Sequence, residues 1–257
     1  MFDALHTWCM FFGYPRSGHS LVGALLDAHP AVLISIELDA LARIREGVGR
    51  AQLFDEIAGH AARFGAEGRQ HMGYDYTVPG AWQGRHTTLE VIGDKKGGRS
   101  SWWLHDEPAL LDRLRETVRL PMRFIHVVRS PWDNIATICT RGRALDDAIG
   151  WYFETCAAVA GIRARLPADD VFELHHEALI ADPRRWLFAL ADFLGVARET
   201  QWADACAAVV DPRPSRSRER VAWSAAQRAE VRRQVARFDW LDQGDFDDGI
   251  DPMRAAS

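Results

Sequence analysis

Apolar runs alternate with helical stretches along this sequence, which predicts an α/β fold in three layers, a central and mostly parallel sheet flanked by helices. Two further observations support it. The candidate strands are almost wholly apolar, as strands covered on both faces are. The first of them runs into the glycine-bounded turn "GYPRSG" and then into an apolar-periodic segment. The chain has 257 residues, 47% of them hydrophobic, enough for one sizeable core. A single domain spanning 1–257 is expected, with a loosely held acidic tail over about 242–257.

Taken in order, residues 7–12 read as a buried strand. After the loop, Leu21, Val22, Leu25, Leu26 and His29 recur at three- and four-residue spacing until Pro30 stops the helix. Residues 31–35 read as a second strand, leading into helical stretches around 38–48 and 52–64. Residues 65–86 are glycine-rich and aperiodic, a loop or insertion carrying Tyr74, Tyr76 and Trp82. "LEVIGDKKGG" (89–98) reads as a strand delivering the chain's only two lysines, Lys95 and Lys96, at its carboxyl end, where open α/β sheets bind ligands. Residues 110–118 are helical and 123–128 form a strand. The next helix has the clearest start in the sequence, with Ser130 at the N-cap, Pro131 at the first helical position and Asp133 at the reciprocal capping position. Its amphipathic pattern continues to about Leu166. Residues 171–174 are a last strand, and Asp182 with Pro183 opens a helix that Gly195 closes.

Charge and cysteine usage narrow the function classes. A net charge of −5 and a pI near 6.1 give no basic field for a nucleic acid or an anionic membrane. Cys9, Cys139, Cys156 and Cys206 are scattered without a C-x-x-C, so neither a disulfide framework nor a zinc site is expected. No basic leader with a long apolar run is present, and no stretch approaches the length of a membrane helix. A cytoplasmic protein is expected, and the oligomeric state is left open, a homodimer included.

Laid against the nucleotide-binding pattern G-x-x-x-x-G-K-[ST], residues 13–20 fit at every fixed position except the lysine, where His19 stands. The fold is therefore expected to be of the P-loop type. Backbone N–H groups and the helix dipole bind an anion there without any special side chain, and Arg16 inside the loop can replace the missing charge. A second anion site can be built at "RSPWDNIATICTR". Arg129 ends its strand, and Thr137 and Arg141 lie at four-residue spacing on one helix face, so two guanidinium groups and a hydroxyl could converge on a phosphate. Plainer alternatives stand beside each: a surface turn for Arg16, and a solvated helix face with Asp133 in an i,i+4 pair for the second.

These motifs resemble those of the sulfotransferases that use 3′-phosphoadenosine 5′-phosphosulfate (PAPS), and within them the branch that includes the protein-tyrosine sulfotransferases and many bacterial homologues. "PRSGHS" is similar to the family's P-[KR]-S-G-T-T loop, which cradles the 5′-phosphosulfate. Arg129 and Thr137 match its strand-ending arginine and the hydroxyl residue eight positions on, which grip the 3′-phosphate, and Arg141 matches a further arginine of the tyrosine-specific branch. The resemblance implies a general-base role for Glu37, contact of Lys95 with the donor's bridging oxygen, and phosphate contacts from Ser17, Gly18, His19 and Ser20. It also implies a donor-covering loop over 212–223, in which Arg213, Arg216, Arg218 and Arg220 are candidates; Arg216 and Arg218 are taken to cover the 3′-phosphate. Residues 175–196 match a late structural segment. Three positions depart from the pattern: His19 replaces a threonine, His176 an aromatic, and Asp39 the arginine with which tyrosine-specific enzymes hold acidic peptides.

The implied reaction is in-line transfer of a sulfuryl group from PAPS to a hydroxyl or amine of a small-molecule acceptor, leaving PAP, with no metal. An apolar pocket would raise the pKa of Glu37, while Arg16, Lys95 and the loop N–H groups stabilise charge on the leaving oxygen. Tyr74, Tyr76, Trp82, Trp102 and Trp103 lie in irregular segments that could wall the acceptor pocket. His19 is read as a hydrogen-bond donor to phosphosulfate, Lys96 as a neighbour, and His29 as a cap or packing residue. The competing readings are a tyrosine or peptide acceptor, a P-loop small-molecule kinase using ATP, and a binding module that would not need Glu37.

Overall fold

The computed structural model describes residues 2–241, and the expected acidic tail of 242–257 lies outside them. β1 (Thr7–Phe12) leads through the loop into α1 (His19–Asp27), followed by β2 (Val32–Ile36), α2 (Ala40–Arg45) and α3 (Arg50–Ala66). A short antiparallel hairpin, β3 (Gln70–His71) with β4 (Tyr74–Asp75), precedes β5 (Val91–Lys95), α4 (Gly98–Asp106) and α5 (Leu110–Val118). Then come β6 (Met122–Val128), α6 (Pro131–Cys139), α7 (Leu145–Arg163) and β7 (Val171–His175). The described chain closes with α8 (His176–Ala181), α9 (Pro183–Leu194), α10 (Thr200–Val209) and α11 (Ala225–Val235).

The five long strands form one sheet in the order β2-β5-β1-β6-β7, and every pairing in it is parallel. Side chains alternate across the pleat. Trp8, Met10 and Phe12 of β1 therefore enter an apolar layer with α4, α5 and α7, while Cys9 and Phe11 enter the opposite layer with α1, α9 and α10. From the central β1 the chain goes to β2 and β5 on one side and to β6 and β7 on the other. Such a reversal opens a crevice at the carboxyl ends of the strands, the place where open α/β sheets bind ligands.

Several local expectations are corrected. The amphipathic stretch expected from Pro131 to about Leu166 is two helices, because the chain turns at 140–144, with Gly142 at φ +103°. Residues 98–106 are α4, so Trp102 and Trp103 stand on a helix rather than in an irregular segment. Ser130 and Asp133 hold the N-cap and third positions of α6 but do not cap each other. The Ser130 amide donates to Glu177 Oε1 (2.9 Å), and Asp133 accepts from the Arg218 amide (2.9 Å) and guanidinium (2.6 Å). The start of α6 is thereby tied to α8 and to the turn at Ser217–Arg220. The Asp182 cap forms as expected, accepting from the Arg185 amide (3.2 Å), and Gly195 ends α9 at φ +76°.

The β3–β4 hairpin is anchored from within the core. Arg69, at φ +52°, pairs with Asp27 at the end of α1 (2.6 Å), and both side chains are buried. Asp27 also accepts from the Ile34 amide (2.9 Å), so one carboxylate joins α1, β2 and the hairpin. Removing one member of such a pair strands a buried charge, which costs about 3–5 kcal/mol. Arg69→Met is expected to lose stability of that order in urea unfolding; an unchanged midpoint would show that the pair holds nothing in place.

Candidate active site

All the expected site residues on the sheet cluster at its carboxyl edge. After β1, the loop turns through Arg16 at φ +69° and Gly18 at φ +98°. A Cβ on Gly18 would lie 2.3 Å from the His176 ring, so only glycine fits between the loop and α8. Gly18 also caps α1 without a side chain, which leaves the first helical amides for an anion. The Arg16 charge interacts with those of Arg141 and Glu37 and with the hydroxyls of Tyr74 and Tyr76. His19 is buried, with Nδ1 3.2 Å from Ser17 Oγ. Burial, followed by the neighbouring Lys95 charge, pushes its pKa down to about 3, so the imidazole is neutral. Its ring lies against the backbone of Gly97, where a Cβ would come within 2.6 Å.

At the end of β5, Lys95 is fully buried. Its Nζ donates to Ser20 Oγ (2.8 Å) and to Glu37 Oε1. Lys96 Nζ sits 3.0 Å from Glu37 Oε2, a neighbour that pairs directly with that carboxylate. Glu37 and Asp39 both have left-handed backbone, at φ +75° and φ +70°. Non-glycine residues rarely take that conformation, and such strain concentrates at functional sites. The expected rise in the Glu37 pKa is overturned. Burial pushes it up, but Lys95 and Lys96 together outweigh burial and hold it at about 2. Lys95 itself is pushed down by burial, with Glu37 opposing.

At the end of β6, Arg129 is buried; its Nη1 donates to the Arg16 carbonyl (2.9 Å) and reaches Thr137 Oγ1 (3.4 Å). Its Nη2 is buried with no hydrogen-bond partner among the described residues. A buried cationic donor without an acceptor is costly, and an anion would satisfy it. Thr137 Oγ1 donates to the Asp133 carbonyl (2.7 Å) and lies 3.0 Å from the hydroxyl of Ser217, a residue that no spacing in the sequence pointed to.

The remaining expected donor contacts are spread more widely. Arg218 engages Asp133 and Ser130 Oγ (3.0 Å) instead of projecting into solvent, and exposed Arg216 pairs with Glu219 at 3.4 Å. Arg141 does not share the α6 face with Thr137; it lies beyond the helix end and donates to the Met72 carbonyl (3.4 Å). Of the five aromatic residues, Tyr74 and Tyr76 lie by the loop. Trp82 bonds to Ala28 at the far end of α1, Trp102 packs edge-on to His105, and Trp103 donates to Asp39 (3.0 Å). His29 is a packing residue as expected, bridging the Ala197 carbonyl (2.9 Å) and the Ala31 amide (3.1 Å). Among the described residues, no His, Cys, Asp and Glu group is arranged to hold a metal, and no helix is long and apolar enough to cross a membrane.

With this geometry established, comparison with known proteins gives a definite family. The sequence profile of the sulfotransferase family matches residues 10–200. The chain belongs to that family. Among solved structures, the sulfotransferase domain of the Synechococcus PCC 7002 olefin synthase superposes with a TM-score of 0.54 at 18% identity, covering 90% of this chain and 94% of that one. The sulfotransferase domain from the curacin biosynthetic pathway gives 0.53 at 15% identity, over 91% and 98% of the two chains. A mouse sulfotransferase complexed with PAP gives 0.50 at 11% identity, over 95% and 86%. These likenesses show the fold. Sequence comparison with curated proteins gives no match.

Two predictions concern the sulfotransferase's own structure. The Glu37 pKa is depressed from the ordinary 4.5 to about 2, so its pairing contributes stability above pH 4.5 that is lost as pH falls toward 2. The urea midpoint of Glu37→Gln is expected to lie below that of the native chain at pH 6, with the gap closing on acidification; a gap independent of pH would contradict the ion pair. Gly97→Ala drives a methyl group into the His19 ring and is expected to cost about 1–3 kcal/mol. Adding His19→Ala should recover part of that loss in a double-mutant cycle, whereas strict additivity would show that the two residues do not meet.

Proposed function

We propose that this enzyme moves a sulfuryl group from PAPS to the hydroxyl of a small-molecule acceptor, releasing PAP. The observation that carries the reading is the buried, unpartnered Nη2 of Arg129, one strand away from a loop that opens a helix with no side-chain cap and so favours an anion there. Two anion sites at adjacent strand ends suit a nucleotide with a 3′-phosphate and a 5′-phosphosulfate. Arg129, Thr137 and Ser217 would hold the former. Arg16, Ser17, Gly18, His19 and Ser20 would hold the latter.

In the transfer, the acceptor oxygen attacks sulfur in line, and the bond from sulfur to the bridging oxygen breaks with its electron pair passing to the 5′-phosphate of PAP. Arg16 and the buried Lys95, turned from Glu37, oppose that growing charge, and a charge withdrawn from water does so most strongly. Glu37 faces the acceptor side. While both lysines hold it, its carboxylate is a poor proton acceptor; turning Lys95 toward the donor oxygen leaves its negative charge to stabilise a cation formed on the acceptor side. Asp39, near Trp103 and Arg99, puts negative charge where a peptide-specific site needs positive charge, which favours a small acceptor over an acidic peptide. We further read residues 1–257 as one cytoplasmic domain.

Melting curves test the donor. PAP should stabilise the protein by about 2.7 kcal/mol at one hundred times its Kd; stabilisation by ATP with Mg²⁺ but not by PAP would favour the kinase reading instead. Arg129→Met should erase the preference for PAP over adenosine 5′-phosphate, a loss of about 1.5–3 kcal/mol. Retained preference in calorimetry would place the 3′-phosphate elsewhere.

A further inference from the structure

The β3–β4 hairpin carries a residue that neither the sequence motifs nor the donor site has accounted for. His71 Nε2 stands 3.8 Å from Glu37 Oε1, with its side chain 29% exposed. The two atoms are too far apart to hydrogen-bond with each other and close enough that a hydroxyl oxygen lying beside them could reach both at about 2.8 Å. The hairpin holding it is fixed by the buried Arg69–Asp27 pair, by the Tyr76 amide on the Arg69 carbonyl (3.2 Å), by Gln83 on the Tyr76 carbonyl (2.8 Å) and by Arg141 on the Met72 carbonyl (3.4 Å).

Glu37, by contrast, has an ammonium group on each oxygen, Lys95 on Oε1 and Lys96 on Oε2. We propose that His71 is a catalytic residue of the transfer: its Nε2 takes the proton of the acceptor hydroxyl, and Glu37 holds the imidazolium that results. The inference rests on the sulfotransfer reading above. The acceptor oxygen bonds to sulfur, the bridging S–O bond breaks with its electron pair on the 5′-phosphate of PAP, and the hydroxyl proton ends on Nε2.

The charged and titratable groups facing His71 are Glu37 beyond β2, Lys95 and Lys96 at the end of β5, Arg16 in the loop and His19 on α1. Burial, and then Lys95, lowers the His71 pKa from its ordinary 6.5, so the ring is neutral at pH 7 and its lone pair can accept a proton. Once protonated, it meets the Glu37 carboxylate. Carboxylate and imidazole together thus make a base that neither supplies alone.

The test follows PAPS turnover to PAP with water as acceptor and with 4-nitrophenol, which ionises near neutrality and needs less help in losing its proton. Wild-type turnover in water should rise with pH through a midpoint below 6.5. His71→Gln should lose that limb and about 100-fold or more in kcat, keep its thermal response to PAP, and lose much less with 4-nitrophenol. His71→Ala should behave alike. A His71→Gln enzyme that keeps the limb and its rate, or loses equally with both acceptors, would overturn the assignment and leave His71 a packing residue. Failure of PAP to stabilise the wild-type protein, together with no PAPS turnover, would overturn the sulfotransfer reading itself and the assignment with it.

Discussion

The buried ammonium of Lys95 is the interaction on which the rest of the site depends. A cation withdrawn from water is tolerable only with partners close by, and here they are Ser20 from α1 and Glu37 from the loop after β2. Those partners come from two elements other than β5, so the charge fixes the spacing of three segments at once. The left-handed backbone at Glu37 is intelligible in this light. It directs the carboxylate back toward the two lysines, and the local strain is offset by the pairing it permits.

The same logic explains why the loop lacks the usual lysine. In the nucleotide-binding pattern that lysine brings positive charge to the phosphates. In the proposed donor site that charge would come from three directions: Arg16 within the loop, Lys95 from β5 and Arg129 from β6. His19, neutral and pressed against Gly97, takes a position where a second ammonium beside Lys95 would meet repulsion. The sheet order makes the convergence possible, because β5 and β6 flank β1 and all three end at the same edge. The candidate site is thus assembled from strand ends, with the β3–β4 hairpin beside it.

Much of this was legible in the sequence, for identifiable reasons. Strands buried on both faces announce themselves as apolar runs, as β1, β2 and most of β6 do, while β5 and the half-buried β7 show only short apolar stretches; the Asp182 cap and the Gly195 stop likewise have local chemistry. Elements set by tertiary context were missed. α4 begins with glycines, and α11 buries only Val231 among its helical residues, so neither shows a strong apolar stripe. Yet the Ser224 and Gln227 capping box of α11 could have been read. The hairpin gave no periodic signal because its strands are two residues each. Asp133 was assigned to its own helix because a capping residue and a partner for a distant arginine look the same in sequence. The lowered pKa of Glu37 was invisible for a related reason. It depends on the strand pairing that brings Ile36 opposite Lys95.

Because Lys95 and Lys96 are the only lysines in the chain, the position of the Lys95 ammonium can be watched directly. Selective ¹³Cε-lysine labelling should give two side-chain signals, assigned by Lys96→Arg. With PAP at saturation, the account predicts a clear shift of the Lys95 signal as its ammonium turns from Glu37 toward the 5′-phosphate. A Lys95 signal that stays put while PAP is demonstrably bound would contradict it.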